Sequence, residues 1–363
     1  MAVHGFRRIL ITGGSGFVGS SLGIAIKRDS PGTRVYALDN LKRRGSELNL
    51  PRLRAAGVEF LHGDVRNPED LEALPEHDLL LECSAEPSVL AGYGQAPAYV
   101  VQTNLSGTLN CLESVRRTKA AIVFLSTSRV YPMEILKQIR LDDAGTRFEL
   151  SPEQNSAGLS MEGVSEDFPI NGLRTLYGAT KLTSELILLE YLAMYGLRGV
   201  INRCGIVTGP WQMGKVEQGV IALWVARHVF GEDLAYFGYG GLGKQVRDFL
   251  HVEDLYNLLC LQVNDLQPHS GRVYNVGGGR ERSFSLQELT VVCQEVTGNK
   301  VSIRSVAEDR EADIPWYISD SRRVKESTGW EPKRYLKETV AEIAHWIESN
   351  RDLVKPVLGK EGR

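Results

Sequence analysis

Tyr177-Gly178-Ala179-Thr180-Lys181 sets a phenol and an amine four residues apart at the head of an apolar helical pattern. That separation puts both side chains on one helical face. An ammonium beside a phenol favours the phenolate, so the spacing predicts a tyrosine pKa lowered towards values useful for proton transfer. By itself the pair is common, and it reads equally well as a surface tyrosine beside a solvated lysine. Ser126-Thr127-Ser128 changes the balance, because it ends an apolar run, Ala121 to Leu125, and supplies a hydroxyl to share a substrate proton. Together these groups suit removal of a hydroxyl proton while hydride leaves the same carbon.

Hydride needs an acceptor, and the N-terminal stretch Arg8 to Gly19 carries the loop that would hold one. Ile9-Leu10-Ile11-Thr12 runs into Gly13, Gly16 and Gly19, and a helical pattern follows. A buried strand, a tight turn and a helix N-terminus are predicted, with Gly13 for the turn, Gly16 for close approach to a pyrophosphate and Gly19 for helix packing. The free amides and the positive end of the helix dipole would face the phosphates. Asp39 ends the next apolar run and lies 20 residues beyond Gly19, placed to accept both ribose hydroxyls and so to favour NAD over its 2′-phosphorylated relative. Asp64-Val65 follows a third strand. Asp64 reads as an acceptor for the adenine amino group or, equally, as a cap for the helix that begins near Pro68.

Apolar strands alternate with helical patterns through the first half: Val58 to Leu61, Leu79 to Leu81 and Ala121 to Leu125 as strands, Pro97 to Arg117 as a helix, Leu176 to Tyr195 as a long helix, and Gly199 to Ile201 as a sixth strand. The expected fold is α/β, a Rossmann doubly wound parallel sheet with a smaller C-terminal substrate-binding domain. The division predicted is residues 1–203 for NAD, and 204–363 mainly for substrate, with a segment about 246–277 returning to the first domain. Residues 133–167 are too long for an ordinary connection and are expected to form a loop that covers substrate. Ser285 to Gly298 and Leu336 to Ile347 read as later helices, and Lys355 to Arg363 as a frayed end.

At 363 residues the chain is long enough for one large domain or two intimate ones, and a net charge of −3 argues against a nucleic-acid or membrane-surface role. No apolar run reaches the length of a membrane span, and no signal-peptide core precedes the glycines. The five cysteines are scattered without metal-binding spacing, which fits reduced core thiols, a cytoplasmic location and no metal.

These motifs give the chain a further likeness. It resembles the extended short-chain dehydrogenase/reductase family of nucleotide-sugar epimerases and dehydratases over nearly its whole length. The anchors are Gly13 to Gly19, Asp39-Asn40-Leu41, Gly63-Asp64-Val65, Asn104 to Thr108, Ser126 to Tyr131, Tyr177 to Lys181 and Gln245 to Asp254. The resemblance implies Thr127, Tyr177 and Lys181 as catalytic residues. It implies a cofactor shell of Gly13, Gly16, Phe17, Val18, Asp39, Asn40, Asp64, Val65, Asn104, Tyr177 and Lys181. Substrate contacts are implied at Thr127, Arg129, Asn202, Gln218, Arg247 and Arg310, with the arginine forks suited to a diphosphate. Within the family the likeness is to the CDP-paratose (CDP-tyvelose) 2-epimerases, through Asp39 to Gly45, Ser126 to Tyr131, Gln218-Gly219 and Gly243 to Asp248.

Two departures from the family pattern matter. Many members end the fourth strand on His-Leu-Ala-Ala, where this chain has Glu82-Cys83-Ser84-Ala85. The 4,6-dehydratases follow the catalytic threonine with Asp-Glu, where this chain has Ser128-Arg129. A guanidinium cannot be the acid or base of an elimination at neutral pH. The expectation is therefore NAD-dependent epimerisation of a nucleotide-diphosphate sugar through a keto-sugar, at C2 of a CDP-sugar. The alternatives are C4 of a UDP-sugar, a dehydratase or reductase, and a non-catalytic NAD-sensing module. Members commonly dimerise through the two long helices, whose apolar residues include Leu182, Leu186, Leu188, Leu189 and Leu192, so a homodimer is expected.

Overall fold

The computed structural model describes residues 1–94, 96–154, 156–214 and 218–360. Five apolar runs form strands β1 (Arg8–Thr12), β2 (Arg34–Asp39), β3 (Glu59–His62), β4 (Leu79–Glu82) and β5 (Ala121–Thr127). With the strands Gly199–Cys204 and Val273–Val276 they make one seven-stranded parallel sheet. Its order runs Val273–Val276, Gly199–Cys204, β5, β4, β1, β2, β3, so the winding direction reverses between β4 and β1.

The central strands are mostly apolar because both faces of the sheet are covered. On one face Ile9, Ile11, Val35, Ala37, Leu79, Leu81, Val123 and Val200 bury against helix α1 (Phe17–Asp29) and the helix Val252–Asn264. On the other, Leu10, Tyr36, Leu38, Leu80, Ile122, Phe124 and Ile201 bury against the helices Gly107–Thr118 and Leu176–Tyr195. The alternation within each strand is the period-two signature of a pleated sheet.

A second core lies over the carboxyl ends of these strands. It joins the helices Val220–Phe230, Leu286–Thr297 and Leu336–Ser349. Its sheet pairs Val246–His251 with Ile206–Thr208, Ser283–Ser285 and Trp316–Tyr317. Of the segment expected to return to the first domain, the helix Val252–Asn264 and the strand Val273–Val276 do so, whereas Val246–His251 belongs to the smaller sheet. Val324 and Trp330 also return, joining the first core.

Residues 133–167 differ from expectation. They hold a helix Met133–Gln138 and short antiparallel pairs. Leu136, Leu150, Val164 and Phe168 bury against Ile314, Trp316 and Ile318. The segment is long because it builds a third small core, with an apolar side chain recurring often enough to anchor it. Asn155 lies outside the described residues. Of the expected frayed end, Lys355 to Leu358 belong to a helix, Arg351–Leu358, in which Val354 and Leu358 are fully buried; residues 361–363 lie outside the described residues.

Candidate active site

The predicted helix Pro97 to Arg117 contains a π-turn, Gln102–Ser106, between Ala98–Val101 and Gly107–Thr118. Single π-turns inside helices cluster at functional sites. This one turns Asn104 inward, where its amide accepts from Glu86 N at 2.7 Å and donates to Glu86 O and Thr180 Oγ1 at 3.1 and 3.3 Å. Asn104 therefore ties the loop after β4 to the Tyr177 helix. It is buried beneath the cavity wall, a correction to its expected place in the cofactor shell.

A cavity of about 1040 Å³ opens where the winding direction reverses and the second core covers the strand ends. One end is the glycine loop. Gly13 has φ +64°, and a Cβ there would meet Cys83 O at 2.8 Å; one on Gly19 would strike Gly13 O at 2.3 Å. Only hydrogen lets the turn and helix sit this close. No side chain caps the N-terminus of α1 at Gly16, which leaves the first-turn amides for an anion. Phe17, Val18, Asn40 and Val65 complete this wall with Asp39. The Asp39 carboxylate accepts from Ser15 N at 3.1 Å and Leu41 N at 2.8 Å, and burial raises its pKa. Asp64 lies behind the wall, paired with Arg66 at 2.6 Å and with Asn40 Nδ2 at 2.9 Å. Its nearest backbone donor is Arg66 N, so it does not cap the Pro68–Glu72 helix, whose N-cap is Asn67.

The middle of the cavity holds Thr127, Tyr177 and Lys181. Thr175 caps the Tyr177 helix by accepting from Gly178 N at 3.2 Å. A Cβ on Gly178 would lie 2.1 Å from Arg129 O. That close approach brings the helix start against the turn after β5, where Thr127 Oγ1 accepts from Arg129 N at 3.2 Å and lines the same cavity as the Tyr177 hydroxyl.

The electrostatics differ from the simple pair expected. Burial raises the Tyr177 pKa, and the groups that pull it back are chiefly the Thr127 hydroxyl and the Arg129 guanidinium. Lys181 is not among the leading influences, because its Nζ lies 4.1 Å from the centre of the Phe124 ring, on the floor beside Glu82.

The far end is arginine-rich. Burial lowers Arg129 to about 10, so it stays charged at neutral pH, and its Nη1 donates to Ala312 O at 3.1 Å. Ala312 holds that carbonyl with φ +61°, a conformation concentrated at functional sites. Arg247 pairs with Asp313 at 2.9 Å, and Arg310 lies 3.5 Å over the Phe237 ring. Gln218 lines the cavity with a buried Oε1 that has no hydrogen-bond partner among the described residues.

Asn202 is a correction: it is fully buried, with its amide exchanging hydrogen bonds with Gln262 at 2.8 and 2.9 Å. Its strand position turns it towards the Val252–Asn264 helix. No described residue of 133–167 lines the cavity, so that segment does not cover it. Residues not anticipated, among them Glu86, Trp224, Arg227, Phe237, Gln245 and Asp313, do line it. They come from four separate stretches, the loop after β4 and three that the second part of the chain brings to it, and no spacing signals that.

The NAD dependent epimerase/dehydratase family matches residues 9–277. The chain belongs to this family. CDP-paratose 2-epimerase of Salmonella typhi is 30% identical over 94% of the chain and 99% of that protein. A dTDP-glucose 4,6-dehydratase of Streptomyces niveus is 28% identical over 96% of the chain and 95% of that protein. The NAD complex of UDP-glucose 4-epimerase from Thermus thermophilus superposes with a TM-score of 0.74 at 26% identity, covering 93% of this chain and 98% of that one. NAD is thus the cofactor of this enzyme, and the residues present fit it: an uncapped helix N-terminus, a cradle that a Cβ would fill, and an acid at the end of β2. Among the described residues no cluster suits a metal ion and no helix is long and apolar enough to cross a membrane. The cysteines are all unpaired, and Cys83 alone is not fully buried.

Proposed function

We propose that the enzyme epimerises a carbon of a nucleotide-diphosphate sugar through a transient keto-sugar, with C2 of a CDP-linked deoxysugar, CDP-paratose or CDP-tyvelose, as the first choice. The observation that carries this reading is the Tyr177–Thr127 couple facing a cavity in which Ser128 and Arg129 stand where an elimination would need an acid and a base. The near-full-length likeness to the Salmonella typhi enzyme supports the choice of sugar and carbon.

Tyr177, as phenolate, takes the hydroxyl proton at the reacting carbon. Thr127 hydrogen-bonds the same oxygen and orients it. When bound, NAD would supply a reversible hydride acceptor at the Gly13–Asp39 wall, where Asp39 and Lys181 would hold its two riboses and Val65 would face its adenine, with Asp64 behind. Arg129, Arg247 and Arg310 hold the diphosphate at the far end, and Gln218 offers its free oxygen and amide to the nucleotide. Anchored there, the keto-sugar can turn its other face to the Gly13–Asp39 wall; the carbon would invert when hydride, the chemistry bound NAD would supply, returned to that face, while Tyr177 gives the proton back to the oxygen. The exposed apolar face of the Tyr177 helix, Leu186 and Met194 above all, is assigned to a second copy of the chain. Unpaired thiols suit a reducing cytoplasm.

Incubation with CDP- and UDP-linked sugars, followed by NMR of the product, tests the reading. Inversion at C2 of a CDP-sugar is expected. Inversion at C4 of a UDP-sugar would favour the second reading, for which the likeness to the Thermus thermophilus enzyme speaks. Net NAD reduction would show a dehydrogenase instead.

A further inference from the structure

β4 ends on a carboxylate that the reaction as described does not use. Glu82 is 0% exposed. Thr108 Oγ1 lies 2.8 Å from its Oε1 and 2.7 Å from Asn104 O, while Oε2 has no hydrogen-bond partner among the described residues. An ionised carboxylate so enclosed needs a compensating charge. Strand register shows where that charge lies. Glu82 sits opposite Thr12 on one side and Phe124 on the other, and neighbours in a parallel ladder project to the same face. Lys181 is 2% exposed, and its Nζ stands over the Phe124 ring, on the neighbouring strand.

The other groups facing Lys181 do not serve it. Glu185, on its own helix, is already met by Arg203 at 2.7 and 3.1 Å and by the Ser126 hydroxyl. Burial raises the thiols of Cys83 just after β4, Cys204 on the next strand but one, and Cys111 on the Gly107–Thr118 helix, so they stay neutral. Burial likewise raises Tyr177 one turn away. Burial lowers Lys181 and raises Glu82, and against burial the mutual attraction of these two groups is the largest charge influence on each.

We propose that Glu82 is a positioning residue, whose carboxylate is the counter-charge that keeps Lys181 an ammonium on the floor of the cavity. Its place is the one where many relatives carry histidine. The consequence for turnover rests on the epimerase reading, but the counter-charge is measurable without substrate.

Lysine labelled with 13C at Cε, with the Lys181 signal assigned by its loss in Lys181→Met, gives the Lys181 titration with and without NAD. Glu82→Gln keeps an acceptor for Thr108 and removes the charge. The Lys181 midpoint is expected to fall by about one unit or more. An unmoved midpoint overturns the proposal. A second measurement covers a variant that does not fold. In Lys181→Met the stranded Glu82 is expected to bind a proton, seen as a protonated-carboxyl stretch in the infrared that disappears in Lys181→Met/Glu82→Gln. Absence of that band also overturns the proposal. A shifted Lys181 midpoint in a protein that epimerises nothing would remove the function and leave the counter-charge standing. Epimerisation with an unmoved midpoint would do the reverse.

Discussion

Tyr177 has to become a base in surroundings that oppose it. Burial raises its hydroxyl, and the Thr127 hydroxyl and the Arg129 charge are the leading influences that favour the phenolate. Tyr177→Phe removes the proton acceptor and leaves the cofactor wall intact. We expect NAD retention unchanged and turnover lower by about 10²–10⁴-fold; NMR of product against time checks the rate. Near-normal turnover would refute the role. Asp248 makes a second prediction at this scale. It is 1% exposed, accepts from Gly279 N at 3.1 Å and Ser319 Oγ at 3.3 Å, and is pushed up to about 6 by burial. A carboxyl raised in the folded state stabilises it at low pH and loses that contribution as pH rises through 6. Asp248→Asn should therefore be more stable than the parent at pH 7 to 8, by about 1–3 kcal/mol. The gap should close as pH falls to 4. Denaturant melts across that range measure it, and a gap independent of pH would contradict the burial account.

The helix that carries Tyr177 gains its position from its first turn. Thr175 caps it, and the hydrogen-only side chain of Gly178 lets it touch the Arg129 carbonyl. Gly178→Ala forces those two elements apart, because backbone on both sides cannot give cheaply. Misplacing a catalytic group by about an ångström costs rate steeply. Turnover should fall at least about tenfold, with NAD still bound at the distant glycine loop; unchanged turnover would show that another contact sets the helix. The limits of this helix, Leu176 to Tyr195, were legible in the sequence from its apolar period and the glycine that ends it. The π-turn at Gln102–Ser106 was not. It has no spacing signature, and it exists because Asn104 finds partners on Glu86 and Thr180, far away in sequence.

At the scale of the whole molecule the Tyr177 helix has two apolar sides. Leu188 and Leu192 are buried on the sheet, while Leu186 and Met194 are 53% and 69% exposed. Exposed apolar patches of this kind mark interaction surfaces. Leu186→Glu combined with Met194→Glu should turn a dimer into a monomer by light scattering without altering the far-ultraviolet circular dichroism. A parent protein that is already monomeric would remove the proposal. The cavity belongs to this scale too, because its NAD end is built by the first core and its arginine end by the second.

Local chemistry was readable from the chain alone. The glycine loop, Asp39, and the pairing of Tyr177 with Lys181 each depend on residues a few positions apart, where helix and strand periods fix the geometry. Those groups all line the cavity. What required the folded chain was every relation between distant segments. Asn202 turned out to belong to a core pair with Gln262, and residues 133–167 to a small core shared with Ile314, Trp316 and Ile318. Each of these is decided by which side chain meets which across the packed interior, where neutralising a buried charge or satisfying a buried amide outweighs the preference of any single stretch.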